Sequence, residues 1–96
     1  MDTNTLEVKH NPEAKRFEIQ LGDEFAMVEY MIAGNNMIFT HTEVPPAFEG
    51  QGIANRIVKF ALDYAVNAGH KIHPLCPIVK LYVDRHPEYQ AHSWGY

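Results

Sequence analysis

The sequence predicts an α+β fold with a mixed sheet: an antiparallel meander followed by a strand–helix–strand–helix unit. Three observations predict it. Apolar and polar residues alternate through the first half, apolar residues recur at helical spacing across 52–68, and Pro45-Pro46 separates the two patterns. The 96 residues suffice for one domain with a modest core.

Taken in order, residues 7–10 form a short first strand. Residues 16–21 alternate, with Phe17, Ile19 and Leu21 on one face. Gly22-Asp23 marks a tight turn. The next strand covers 25–32, with Phe25, Met27 and Glu29 on one side and Ala26, Val28, Tyr30 and Ile32 on the other. Gly34-Asn35-Asn36 is a second turn signal, and 37–44 is the third long strand. Short turns between these strands imply antiparallel pairing. Pro45-Pro46 ends the run, because proline cannot donate to a sheet ladder.

The period then changes. Ile53, Ile57, Phe60, Ala61, Tyr64, Ala65 and Ala68 recur at helical spacing, and Arg56, Lys59, Asp63 and Asn67 fall largely opposite. Gly69 is a natural stop, so the helix is expected over 52–68. Residues 71–73 follow closely and read as a strand returning parallel to the third one. A last helix is expected from Pro77, carrying Ile78, Leu81 and Tyr82 inward and stopping before Pro87. The tail, 88–96, has no clear period.

Composition narrows the function classes. The net charge is −4 and no lysine or arginine cluster resembles a nucleic-acid footprint. No apolar run reaches the roughly 18 residues of a membrane span, so no membrane partner is expected. The polar, acidic start, Met1 to Lys9, does not read as a signal peptide. One cysteine, Cys76, forms no internal disulfide, and a cytoplasmic location is expected. No apolar face stands unassigned, which leaves a monomer as the expectation. His70 and His73 are three apart but lack a third ligand nearby, so no metal site is expected.

The chemically informative stretch is Val44-Pro45-Pro46-Ala47-Phe48-Glu49-Gly50-Gln51-Gly52-Ile53-Ala54. It joins the end of a strand to the start of the best helix. Glycines let the backbone approach a ligand closely, and the first helix amides lack internal partners. Together they suit a phosphate or pyrophosphate. No lysine followed by serine or threonine ends the loop, which excludes the nucleotide-triphosphate loop. The three-glycine dinucleotide fingerprint is also missing. On its own, the turn reads more readily as a plain glycine-rich helix start than as an anion site.

The order of parts around this turn resembles the GCN5-related N-acetyltransferase family, and more closely its small YjdJ-type branch. The family motif, Gln/Arg-x-x-Gly-x-Gly/Ala, reads here as Glu49-Gly50-Gln51-Gly52-Ile53-Ala54. Gly52 and Ala54 match, whereas Glu49 departs from the usual glutamine or arginine. His41-Thr42-Glu43-Val44, Pro74-Leu75-Cys76-Pro77 and Leu81-Tyr82 resemble further parts of that branch. The resemblance implies a minimal form of the family fold. It implies acetyl-coenzyme A as cosubstrate, bound by Val44, Glu49, Gly50, Gln51, Gly52, Ile53, Ala54 and Asn55. The backbone amides would carry the phosphates. The pantetheine arm would lie between the strand ending at Val44 and the short strand at 71–73.

The reaction implied is acetyl transfer to an amine, which attacks only when neutral and so needs a base. Three catalytic candidates follow. Tyr82 matches the family tyrosine that serves the leaving thiolate, or is simply a core aromatic on an amphipathic helix. Cys76, near the thioester end, is a covalent acetyl acceptor, a pocket-lining thiol or an inert buried one. Glu43 and His41 share one strand face, and either is a general base or water relay, or Glu43 is simply a solvated strand carboxylate. The acceptor is an unidentified amine, small or on a protein or peptide. Because only a short loop, 11–16, stands where larger relatives build the acceptor site, a coenzyme-binding module without catalysis and an interaction domain are the alternatives.

Overall fold

The structure is a computed structural model, and it describes residues 6–96. Five strands form one sheet in the order β1-β2-β3-β4-β5, with β1 at Lys9–Asn11, β2 at Arg16–Leu21, β3 at Glu24–Ala33, β4 at Asn36–Glu43 and β5 at Lys71–Pro74. The first four pair antiparallel, and β5 lies parallel to β4. Helix α1, Ile53–Asn67, makes the crossover between β4 and β5, as parallel neighbours require. Helix α2, Pro77–Arg85, and the single turn α3, Pro87–Gln90, complete the chain. The predicted α+β architecture is the observed one.

One face of the sheet packs under the helices. Phe17, Ile19 and Leu21 of β2 and Ala26, Val28 and Tyr30 of β3 are buried there. The other face is partly open and carries Phe25 and Met31. Ile32, expected with the inward set of β3, is exposed because the strand runs past the helical cover.

Both helices sit rotated from their predicted phase. In α1 the buried stripe is Ile53, Ile57, Val58, Ala61, Leu62 and Ala65. Phe60 and Tyr64, expected inward, flank the stripe instead. They meet Phe17 edge-on, with ring centroids 6.0 and 5.5 Å away. In α2 the inward residues are Val79, Tyr82 and Val83, while Ile78 and Leu81 are exposed. The reason is that α2 is apolar on two faces, so spacing alone does not choose one. Its phase is set by its first residues. The Cys76 amide donates to Phe39 O at 2.9 Å, continuing the β4–β5 ladder and fixing where the helix begins.

The tail is ordered against the body. Tyr89 is buried, and the chain then runs beside β5, with Ile72 N–H donating to His92 O (2.8 Å) and Trp94 N–H to Ile72 O (2.9 Å). The Trp94 indole donates to Asn36 Oδ1 at 2.8 Å. This segment covers the backbone edge that β5 would otherwise present.

Candidate functional site

Strand β4 contains the irregularity that shapes the site. Glu29 pairs with His41 and Tyr30 with Phe39, so Thr40 has no partner across the ladder. One extra residue flips the side-chain phase of the strand. Met37 and Phe39 point inward before it, and Thr42 points inward after it. His41 and Glu43, which an unbroken alternation would bury, are instead turned to solvent, with Nε2 and Oε2 3.4 Å apart. Pairing with β5 stops at Phe39–Pro74, so Thr42 to Val44 has no β5 neighbour.

A cleft of about 580 Å³ opens beyond that point. Its walls are the end of β4, the loop after it, the first turn of α1 and Ile78 of α2. Pro46–Phe48 makes one tight helical turn, and two glycines then lead into α1. Gly50 and Gly52 have φ of 79° and 80°, the left-handed region in which other residues lose roughly 1–2 kcal/mol. Gly52 is the N-cap, and the first rung of the helix is Arg56 N–H to Gly52 O at 3.1 Å. The amides of Ile53, Ala54 and Asn55 therefore lie ahead of the ladder, and no side chain caps them. They form a donor cradle at the positive end of a 15-residue helix.

Charge in the cleft does not come from cations. Its only charged lining residues, among those described, are Glu43 and Glu49. Three basic residues of the neighbouring helices, Arg56, Lys59 and Lys80, are engaged elsewhere. Arg56 donates to Leu6 O at 3.4 Å, Lys59 to Asp63 at 2.8 Å and Lys80 to Asp84 at 2.6 Å. An anion bound here is held by backbone dipoles.

Eight of the residues singled out from sequence line this one space: Glu43, Val44, Glu49, Gly50, Gly52, Ile53, Ala54 and Asn55. Gln51 lies in the loop but not in the lining. Cys76 is buried just behind the wall. Its thiol donates to Thr42 Oγ1 at 3.4 Å, and Thr42 itself lines the cleft.

Tyr82 stands apart. Its ring stacks on His86 with centroids 3.8 Å apart, and His86 Nδ1–H donates to Tyr82 O at 2.7 Å. Burial raises the phenol's pKa, with Lys59 opposing and Asp63 and Glu88 adding to the rise. Tyr82 thus faces the second and third turns of α1. There Tyr89 donates to Asp63 at 2.5 Å, and Asp63 also receives Lys59.

Thr42, Pro46, Phe48 and Ile78 also line the cleft, though none of them was among the expected binding or catalytic residues. Thr42 had a sequence signal. The odd positions of β4 change from Met37 and Phe39 to His41 and Glu43, while the even ones end in Thr42 and Val44. Ile78 had none, because its exposure depends on the phase of α2.

Comparison with known proteins follows the same outline. Residues 16–92 match a family model described as GCN5-related N-acetyl-transferase. Protein NATD1 of Xenopus tropicalis is 32% identical over 88 residues, covering 88% of this chain and 81% of its own. Protein NATD1 of Homo sapiens is 33% identical over 85 residues, covering 85% and 75%. In three dimensions, a GCN5-like protein from Staphylococcus aureus, solved by NMR, superposes with a TM-score of 0.74 at 24% identity. That match covers 95% of this chain and 90% of the other, and it shows the same fold. On the family model and these relatives together, the chain belongs to the GCN5-related N-acetyltransferase family.

Proposed function

We propose that this protein binds acetyl-coenzyme A in the cleft before α1 and transfers the acetyl group to an amine. One observation carries the reading. The uncapped amides of Ile53, Ala54 and Asn55 face the mouth of a cleft that opens where β4 and β5 cease to pair. A pyrophosphate suits the amides, since they supply fixed donors at a positive helix end. An extended amide-containing arm suits the unpaired edge of Thr42 to Val44, whose backbone groups need partners. The volume and apolar walls, including Phe48 and Ile78, accommodate a cofactor of that size.

In this reading the chain contributes binding, orientation and a proton acceptor. Gly50 to Asn55 hold the phosphates through the backbone. Glu49 points no help at them, and its carboxylate is tolerated only if it stays in solvent. Glu43 lies on the cleft rim beside His41 and takes the proton that the amine must lose before attack. Cys76, tied to Thr42 behind the wall, is the second reactive group. Tyr82 is a weaker candidate than either, because its surroundings are Lys59, Asp63 and His86 rather than the cleft.

Titrating ¹⁵N-labelled protein with acetyl-coenzyme A tests the binding half. The amides of 50–55 should shift together and saturate. Thioester consumption with a panel of small amines, peptides and proteins tests the transfer half. Turnover with at least one amine, lost in Glu43→Gln, is the expected result. Binding without turnover on any acceptor contradicts the enzymatic reading.

A further inference from the structure

We infer that Thr42 is the positioning residue of this site: its hydroxyl, in the cleft wall, holds the Cys76 thiol immediately behind that wall, and the β4 bulge exists to bring the two together. The inference rests on the acetyl-coenzyme A reading above.

Three observations converge on Thr42. It is the one buried polar residue in the cleft wall, 6% exposed, in a strand whose neighbouring polar residues face solvent. Its inward direction is created by the unpaired Thr40, since regular alternation would have turned His41 and Glu43 inward instead. Its oxygen accepts the Cys76 thiol at 3.4 Å, and among the described residues the hydroxyl has no other hydrogen-bond partner. A hydroxyl both accepts and donates by rotating. It therefore accepts from the thiol and turns to donate to the sulfur once the thiol proton has left.

The other end of the contact is equally constrained. Cys76 is the N-cap of α2, its amide is fixed to Phe39 O at 2.9 Å, and its carbonyl accepts Lys80 N–H at 2.9 Å. With the backbone held on both sides, the sulfur's direction is the remaining freedom. Thr42 removes it. A valine there would fill the same space and leave the sulfur without a polar partner. A serine would keep the hydroxyl and lose only a methyl group.

The chemistry this serves is thiol–thioester exchange. The Cys76 sulfur bonds to the acetyl carbon, the bond from that carbon to the coenzyme sulfur breaks, and the thiol proton passes to the released sulfur. Cys76 is the chain's single cysteine, so a gain of one acetyl mass is assigned without ambiguity after thiol-specific release.

The test compares wild type, Thr42→Val and Thr42→Ser. The Cys76 Hα–Hβ couplings report the thiol rotamer, and mass spectrometry follows acetyl uptake from acetyl-coenzyme A. Wild type should show one rotamer. Thr42→Val should remain folded, show averaged couplings and take up acetyl at least tenfold more slowly. Thr42→Ser should restore one rotamer and a rate within about threefold of wild type. Wild-type rate and couplings in the valine variant overturn the proposal. So does equal loss in the serine and valine variants, which would make Thr42 a packing residue. If Thr42→Val does not fold, averaged couplings in wild type alone suffice to overturn it. Failure of acetyl-coenzyme A to shift amides 50–55 sinks the function reading instead, and the rotamer measurement still decides the role of Thr42.

Discussion

Gly50 and Gly52 show how single residues can carry a site without side chains. Both sit at positive φ, and a Cβ at Gly50 would meet nothing within 4 Å. Gly50→Ala therefore costs only backbone strain, roughly 1–2 kcal/mol, read as a fall in Tm. The same strain turns the neighbouring amides, so affinity for acetyl-coenzyme A should drop by about tenfold or more in calorimetry. Unchanged affinity would mean the amides are not the contact. Asp63 is a second case, remote from the cleft. Burial raises its pKa, but hydrogen bonds from Lys59 and Tyr89 outweigh this and hold it below the usual carboxylate range. A depressed folded pKa stabilises above the unfolded value, about 4, and that stability is lost as pH falls through the lower folded value. Acid unfolding of Asp63→Asn should show a shallower slope in that window than wild type. These residue roles differ in legibility. The glycine turn could be read only through its place between a proline-terminated strand and the best helix, since alone it is an ordinary glycine-rich helix start. The Thr42–Cys76 contact could not, since 34 positions separate the partners and only the bulge aligns them.

At the scale of elements, the strands were more legible than the helix phases. β2 matches its predicted range residue for residue, and β3 and β4 differ by one at each end, because a half-buried strand writes its period directly into sequence. β1 lies two residues later at its start than expected, being too short to show a period. Helix α1 was found within its caps, but Val58 and Leu62 replaced Phe60 and Tyr64 in its buried stripe. Aromatic rings at the margin of a stripe count as apolar in the pattern while packing sideways in the fold. The bulge in β4 makes the strongest element-scale prediction. Deleting Thr40 restores regular pairing and drives His41 and Glu43 inward. Burying a carboxylate without a partner is costly, so Tm should fall by at least about 10 °C. A deletion variant with wild-type Tm would show that the bulge does not set the phase.

For the molecule as a whole, stability is spread over one sheet, two helices and a tail that closes the sheet edge. The tail's role was hidden in the sequence, because Tyr89, Ser93 and Trp94 follow no period: Tyr89 reaches Asp63 of α1, while Ser93 and Trp94 lie against Ile72 of β5 and Trp94 also reaches Asn36. Removing residues 92–96 uncovers β5. The truncated chain should elute as a dimer or larger species in size-exclusion chromatography, through edge-to-edge pairing. Elution at the full-length position would assign the tail a local role only. The rest of the architecture serves one junction, where β4 leaves β5, the backbone turns through two glycines, and α1 presents its first amides. A ¹⁵N titration with acetyl-coenzyme A tests this junction most directly. Saturable shifts centred on the amides of residues 50–55, extending to Thr42–Val44, are the expected result. No movement of those amides at millimolar ligand, or shifts centred on another face, would contradict it.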